Sequence, residues 1–159
     1  MDIYQRIRQD HETARGLLGR LTELPDGRAD ERDRLFDTLK RELWVHAKVE
    51  EAVFYAVLKE ARRTRGESLE AFNEHHLINS LLDELDAMPR DNVAWTAKLG
   101  VLKEVTEHHL DEEEEEVFEE AGKVIDEDQA KRLGQAFDER KEQGLAALEP
   151  VEEKPESGG

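Results

Sequence analysis

Apolar residues recur along the chain at the three- and four-residue spacing of helices buried on one face. From about Asp2 to Leu24, Ile3, Ile7, Ala14, Leu17, Leu18 and Leu21 form a stripe, and His11 falls on it. Pro25, Asp26 and Gly27 mark a turn. The next stripe, on a helix from about Asp30 to Arg63, reads Leu35, Leu39, Leu43, His46, Glu50, Val53 and Val57, with Gly66 as its breaker. A third helix, about Ser68 to Ala87, carries Phe72, His75, Ile78, Leu82 and Leu85, and Met88 and Pro89 end it. Asp91 is the expected cap of a fourth helix, about Asn92 to Gly122, with Trp95, Leu99, Leu102, Val105 or Thr106, His109, Glu113, Val117 and Glu120 on its stripe. A fifth helix, about Glu127 to Ala147, follows an Asp126 cap and carries Ala130, Leu133, Phe137 and Leu145.

No strand pattern competes with these helices. Long helices with short connections predict an all-α, antiparallel up-down four-helix bundle over residues 1–122. The additional C-terminal helix, 123–149, is expected to pack on the bundle. Pro150 to Gly159 is Glu/Gly-rich and reads as a disordered tail.

Charge and composition narrow the chemistry. The 159 residues hold 40 Asp and Glu against 23 Lys and Arg, a net charge of −17, and no cysteine. A thiol nucleophile, disulfide framework, iron–sulfur cluster and Cys-ligated zinc are excluded. The negative charge argues against binding nucleic acid or an anionic membrane through a basic surface. No apolar run approaches the length of a membrane span, and the N-terminus lacks the apolar core of a signal peptide. A cytoplasmic protein, monomeric or weakly homodimeric, is expected.

The polar members of the apolar stripes carry the chemistry. Each of the first four helices places a histidine on its core-facing stripe. His46 and Glu50 lie four residues apart on one helix face, as do His109 and Glu113. Either pair alone could be a plain ion pair. Four inward imidazoles and two inward carboxylates are costly to bury unless paired or coordinated, and a metal satisfies all six together. Imidazole with carboxylate and no thiolate suits iron or manganese.

The stripe favours His75 over His76, and His109 over His108; His76 and His108 are left as solvated groups or as groups that orient a ligand. Along the helices the histidines fall in one layer, except across the second connection. There 17 residues separate His46 from Arg63, but only 7 separate Ser68 from His75. Within the acidic run Asp111 to Glu116, only Glu113 needs to face inward; the rest read as a solvated face.

Four runs resemble the hemerythrin-like HHE cation-binding family: Asp10-His11-Glu12, His46 to Tyr55 (HAKVEEAVFY), Glu74 to Leu85 (EHHLINSLLDEL) and Glu107 to Phe118 (EHHLDEEEEEVF). The resemblance covers about residues 1–122. It implies ligation by His11, His46, Glu50, His75, His109 and Glu113 of two iron ions, oxo- or hydroxo-bridged, with Glu50 and Glu113 bridging them. Family members bind oxygen, sense oxygen or iron, or act on peroxide or nitric oxide. The oxygen-carrying branch has a further histidine where this chain has Asn79. Two octahedral irons offer about twelve positions, of which these ligands and the bridge fill all but about two. That openness suits peroxide chemistry better than reversible oxygen carriage, unless Asn79, Glu74 or Glu12 fills a position. The resemblance thus implies a protein reacting with dioxygen or hydrogen peroxide, as a catalase-like scavenger. Oxygen or iron sensing is the alternative, and a zinc-bound or metal-free structural bundle the third.

Overall fold

The computed structural model describes residues 1–148, all helix and connecting turns. The stretch Pro150 to Gly159 lies outside the described residues. Helix α1 is Ile3–Glu23. Helix α2 runs as Ala29–Glu50, a π-helical turn Glu51–Tyr55, and a last turn Ala56–Glu60. Helix α3 is Arg65–Asp86. Helix α4 repeats the form of α2: Val93–Glu112, a π-helical turn Glu113–Val117, then Phe118–Ala121. Helix α5 is Glu127–Ala147. Among the described residues, no helix is long and apolar enough to cross a membrane.

Local chemistry explains the helix ends. Asp2 accepts from the Gln5 amide while the Gln5 side chain accepts from the Asp2 amide, a reciprocal cap. Asn92, rather than Asp91, caps α4 by accepting from Ala94 N at 2.7 Å. Asp126 caps α5 through Gln129 N. Gly27, at φ 84°, makes the left-handed turn between α1 and α2.

The α2–α3 corner departs from the expected boundaries at both ends. The Thr64 hydroxyl donates to Leu58 O and the Ser68 hydroxyl to Tyr55 O, so side chains satisfy carbonyls that α2 leaves free at its end. Helix α2 therefore stops at Glu60, short of Arg63, and α3 begins at Arg65, ahead of Ser68. Gly66 is not a breaker; it sits in the first turn of α3. The distances along the two helices now balance: 14 residues from His46 to Glu60 and 10 from Arg65 to His75.

The two π turns displace the apolar stripes. A π turn adds one residue to a helical turn, so everything beyond it rotates. Beyond Glu51–Tyr55 the fully buried residue is Leu58, while Val57, expected on the stripe, is only partly buried. Beyond Glu113–Val117 it is Ala121, and the expected Glu120 is partly exposed. Both turns start at or just after the inward glutamate of a His-x-x-x-Glu segment.

The core is split in two. One apolar cluster holds Leu18, Leu21, Phe36, Leu39, Leu82, Trp95 and Leu102. The other holds Ile3, Ile7, Val49, Phe54, Leu58, Phe118 and Phe137. His11, His46, His75 and His109 each lie, along their helices, between residues of the two clusters, which makes a polar layer across the middle of the bundle.

Helix α5 packs against α1 and α2. At Gly134 it lies tight against the N-terminus of α1: a Cβ there would stand 2.3 Å from the Met1 carbonyl oxygen and 2.7 Å from the Asp2 carbonyl carbon. Gly134→Ala must push backbone, not a flexible side chain. It is expected to lower stability by about 1–3 kcal/mol, read from urea melts. An unchanged midpoint would show that the N-terminal cap of α1 yields freely.

Candidate metal centre

Six side chains named from the sequence meet in the central layer. His11, His46, Glu50, His75, His109 and Glu113 are all buried. They form two groups whose ligand-capable atoms lie within 4.8 Å of one another: His11, His46, Glu50 and Glu113, and Glu50, His75 and His109. The imidazoles pair by group, with ring centres 5.3 Å apart for His11 and His46 and 4.9 Å for His75 and His109. Glu50 belongs to both groups, since Oε2 lies 3.2 Å from His46 Nε2 and Oε1 lies 3.0 Å from His75 Nε2. Glu113 belongs to the first alone. Its Oε1 is 2.9 Å from His11 Nε2, and its Oε2 accepts the Tyr55 hydroxyl. Of the two carboxylates expected to bridge, Glu50 alone spans both groups here.

The four histidines are held in the same way. The Nδ1 of His11 donates to Glu114 at 2.5 Å, that of His46 to Asp10 at 2.8 Å, and that of His75 to Glu51 at 2.7 Å. The Nδ1 of His109 donates to Glu74. An ionised carboxylate only accepts, so Nδ1 carries the proton and Nε2 is turned to the interior. All four Nε2 atoms, both Glu50 oxygens and Glu113 Oε1 are buried without a hydrogen-bond partner. The Nε2–carboxylate approaches are close but not aligned as hydrogen bonds. Two donors bound side by side on an octahedral ion with bonds of about 2.1 Å sit about 3.0 Å apart, which is the spacing seen. The residues present fit metal ions, and carboxylate-oriented histidines are the usual way of fixing imidazole ligands.

The electrostatics tell the same story. Burial alone would lower the pKa of His46, but Glu50 and Asp10 outweigh it and hold it up at about 10. Burial likewise works against His75, and Glu50 and Glu51 raise it to about 9. Against burial, His46 and Lys141 hold Asp10 well below the usual carboxylate range. Burial and the nearby Glu113 and Glu50 push Tyr55 up, so its phenol keeps its proton and donates a hydrogen bond to Glu113. Carboxylates gathered around His46 and His75 favour positive charge there, and metal ions on the free Nε2 atoms would supply it.

The remaining sequence candidates separate cleanly. His76 and His108 are exposed. Glu12 points to solvent beside Arg15 and does not reach the layer. Glu74 holds His109 Nδ1 instead of entering the centre itself. Asn79 lines a cavity with His46, His75 and His109. In the acidic run, Glu113 is not alone in facing the site. Glu114, 20% exposed, turns to His11 and is shared with Arg15.

Four residues of this layer escaped the sequence reading: Asp10, Glu51, Glu114 and Lys141. Lys141, on α5, is buried and bonds Asp10 and Glu42, both at 2.7 Å. The other three follow a repeat in the sequence. An acid precedes the inward histidine on α1 and α3 (Asp10-His11, Glu74-His75) and holds the inward histidine of the next helix. A second glutamate follows each His-x-x-x-Glu (Glu51, Glu114) and holds the histidine of α3 or α1.

A family model described as Hemerythrin HHE cation binding domain matches residues 2–121. A crystal structure of a hemerythrin HHE cation binding domain-containing protein from Mycobacterium kansasii superimposes with a TM-score of 0.82 at 27% identity. The match covers 92% of this chain and 89% of that one. No curated protein matches the chain at a significant level.

Proposed function

The chain belongs to the hemerythrin HHE cation-binding domain family, and from that premise we propose that it is a non-haem di-iron protein that reacts with dioxygen or peroxide. The proposed reaction is catalase-like, converting two hydrogen peroxide molecules to one dioxygen and two waters, in the cytoplasm. One observation carries this reading: four buried Nε2 atoms, each fixed through Nδ1 by a carboxylate, converge without partners on the oxygens of Glu50 and Glu113. When bound, an iron pair supplies the change of oxidation state that peroxide or dioxygen chemistry needs.

The protein's own groups do the rest. His11 and His46 with Glu50 and Glu113 would hold one ion; His75 and His109 with Glu50 would hold the other. Asp10, Glu51, Glu74 and Glu114 fix the ring orientations of the imidazoles. Tyr55 keeps a proton on its oxygen and lends it to Glu113 Oε2. The apolar clusters on either side keep bulk water from the layer.

The test is the metal content and optical spectrum of protein from iron-supplemented cells, beside a His46→Ala/His109→Ala double variant. The expected result is about two irons per chain, near-ultraviolet absorption of a bridged pair, and peroxide turnover, all lost in the variant. Less than one metal in both proteins, with equal helix content, would overturn the reading. Two irons without turnover would shift the role to oxygen or iron binding.

A further inference from the structure

The six threonines of the chain divide unevenly. Thr13, Thr22, Thr38 and Thr96 donate to the carbonyl four residues back, as helical threonines commonly do, and Thr64 donates to Leu58 O. Thr106 does neither. It is fully buried, and its hydroxyl has no hydrogen-bond partner. It lies one helical turn before His109, on the same face of α4.

Thr106 lines a cavity of about 10 Å³, room for about one water-sized molecule. The cavity is bounded by His46, His75 and His109, and by Asn79 and Leu110. It therefore opens onto the His75–His109 side of the layer, where Glu50 is the carboxylate present and Glu113 is absent from the group. Three of its walls are histidines whose Nε2 atoms are unpartnered. Leaving a hydroxyl unbonded in such a place is unfavourable unless something in the cavity accepts its proton.

We propose that this cavity is the seat of the exogenous ligand, and that the Thr106 hydroxyl positions it by donating a hydrogen bond. The ligand class is an oxygen- or halide-type acceptor of one heavy atom bound on the His75–His109 side: water, hydroxide or fluoride. Thr106 is a positioning residue; it acts on the ligand and does not hold the metal. This inference rests on the iron-pair reading above.

Fluoride is the probe, since it is a one-atom anion, accepts hydrogen bonds and is not consumed. The oxidised iron-loaded protein is titrated with fluoride and followed by its optical bands, in wild type, Thr106→Val and Thr106→Ser. Thr106→Val keeps the volume but not the hydroxyl and is expected to weaken fluoride about tenfold or more. Thr106→Ser keeps the hydroxyl and is expected to stay near wild type. The metal-free Thr106→Val protein is expected to melt no lower than wild type, because the lost hydroxyl had no partner. Full iron content with equal fluoride affinity in wild type and Thr106→Val would overturn this inference alone. Loss of fluoride binding in Thr106→Ser as well would assign the effect to packing and overturn it too. Iron well below two per chain in wild type would overturn the iron-pair reading, and this inference with it.

Discussion

Glu50→Gln is expected to empty both metal positions, whereas Glu113→Gln is expected to empty chiefly one. The difference follows from placement. Glu50 is fully buried and offers one oxygen toward His46 and the other toward His75, so it serves both groups. Glu113 offers one oxygen to the His11 group and spends the other on Tyr55. The amide keeps the size of the carboxylate but removes its charge and half of its donor capacity. Iron per chain should fall from about two to near zero in Glu50→Gln and to about one in Glu113→Gln. A ligand present at a thousand times its dissociation constant stabilises the folded state by about 4 kcal/mol. In a domain of this size that is about 8–16 °C of melting temperature. Wild type should therefore gain stability on iron loading, and Glu50→Gln should gain almost none. Two irons retained in Glu50→Gln would remove Glu50 from its shared position.

The same centre shows how far the residues themselves could be read. The inward histidines and glutamates were legible because each interrupts an apolar stripe at helical spacing, and polar groups do not occupy such positions without a reason. The choice between Val105 and Thr106 was not legible, since both lie near the stripe; the structure buries Thr106 fully and Val105 only in part. The π turns were hidden for a physical reason. A constant 3.6-residue period assumes uniform winding, so the rotation that brings in Leu58 and Ala121 looks like noise in the pattern. Asp10, Glu51 and Glu114 were within reach. Acid-His on odd helices and His-x-x-x-Glu-Glu on even ones repeat across the two halves of the bundle. Such a repeat says that the carboxylates flanking the ligands belong to the centre, not to the solvated face. Lys141 was out of reach, because its partner Asp10 lies 131 residues away and only the docking of α5 brings them together.

That docking sets the second large effect. Phe137→Ala is expected to cost about 3–5 kcal/mol, the usual cost of emptying a buried aromatic site. Phe137 has no exposed surface and belongs to the cluster with Ile3, Ile7, Val45 and Val49. Its ring lies 5.7 Å from that of His46, and the Arg6 guanidinium sits over it at 5.2 Å. One side chain thus ties α5 to α1, to α2 and to the imidazole that Lys141 reaches through Asp10. In a chain of this length the loss corresponds to a fall in melting temperature of about 6–20 °C. The exposed Val101 is the control, with Val101→Ala expected within about 0.5 kcal/mol of wild type. Iron should also leave Phe137→Ala faster under a chelator, because the cavity frees His46 to turn. A melting temperature within about 2 °C of wild type, with unchanged iron release, would mean that α5 is not fixed on the bundle. The helix beyond residue 121 would then be free for another partner, and Lys141 would have no part in holding Asp10.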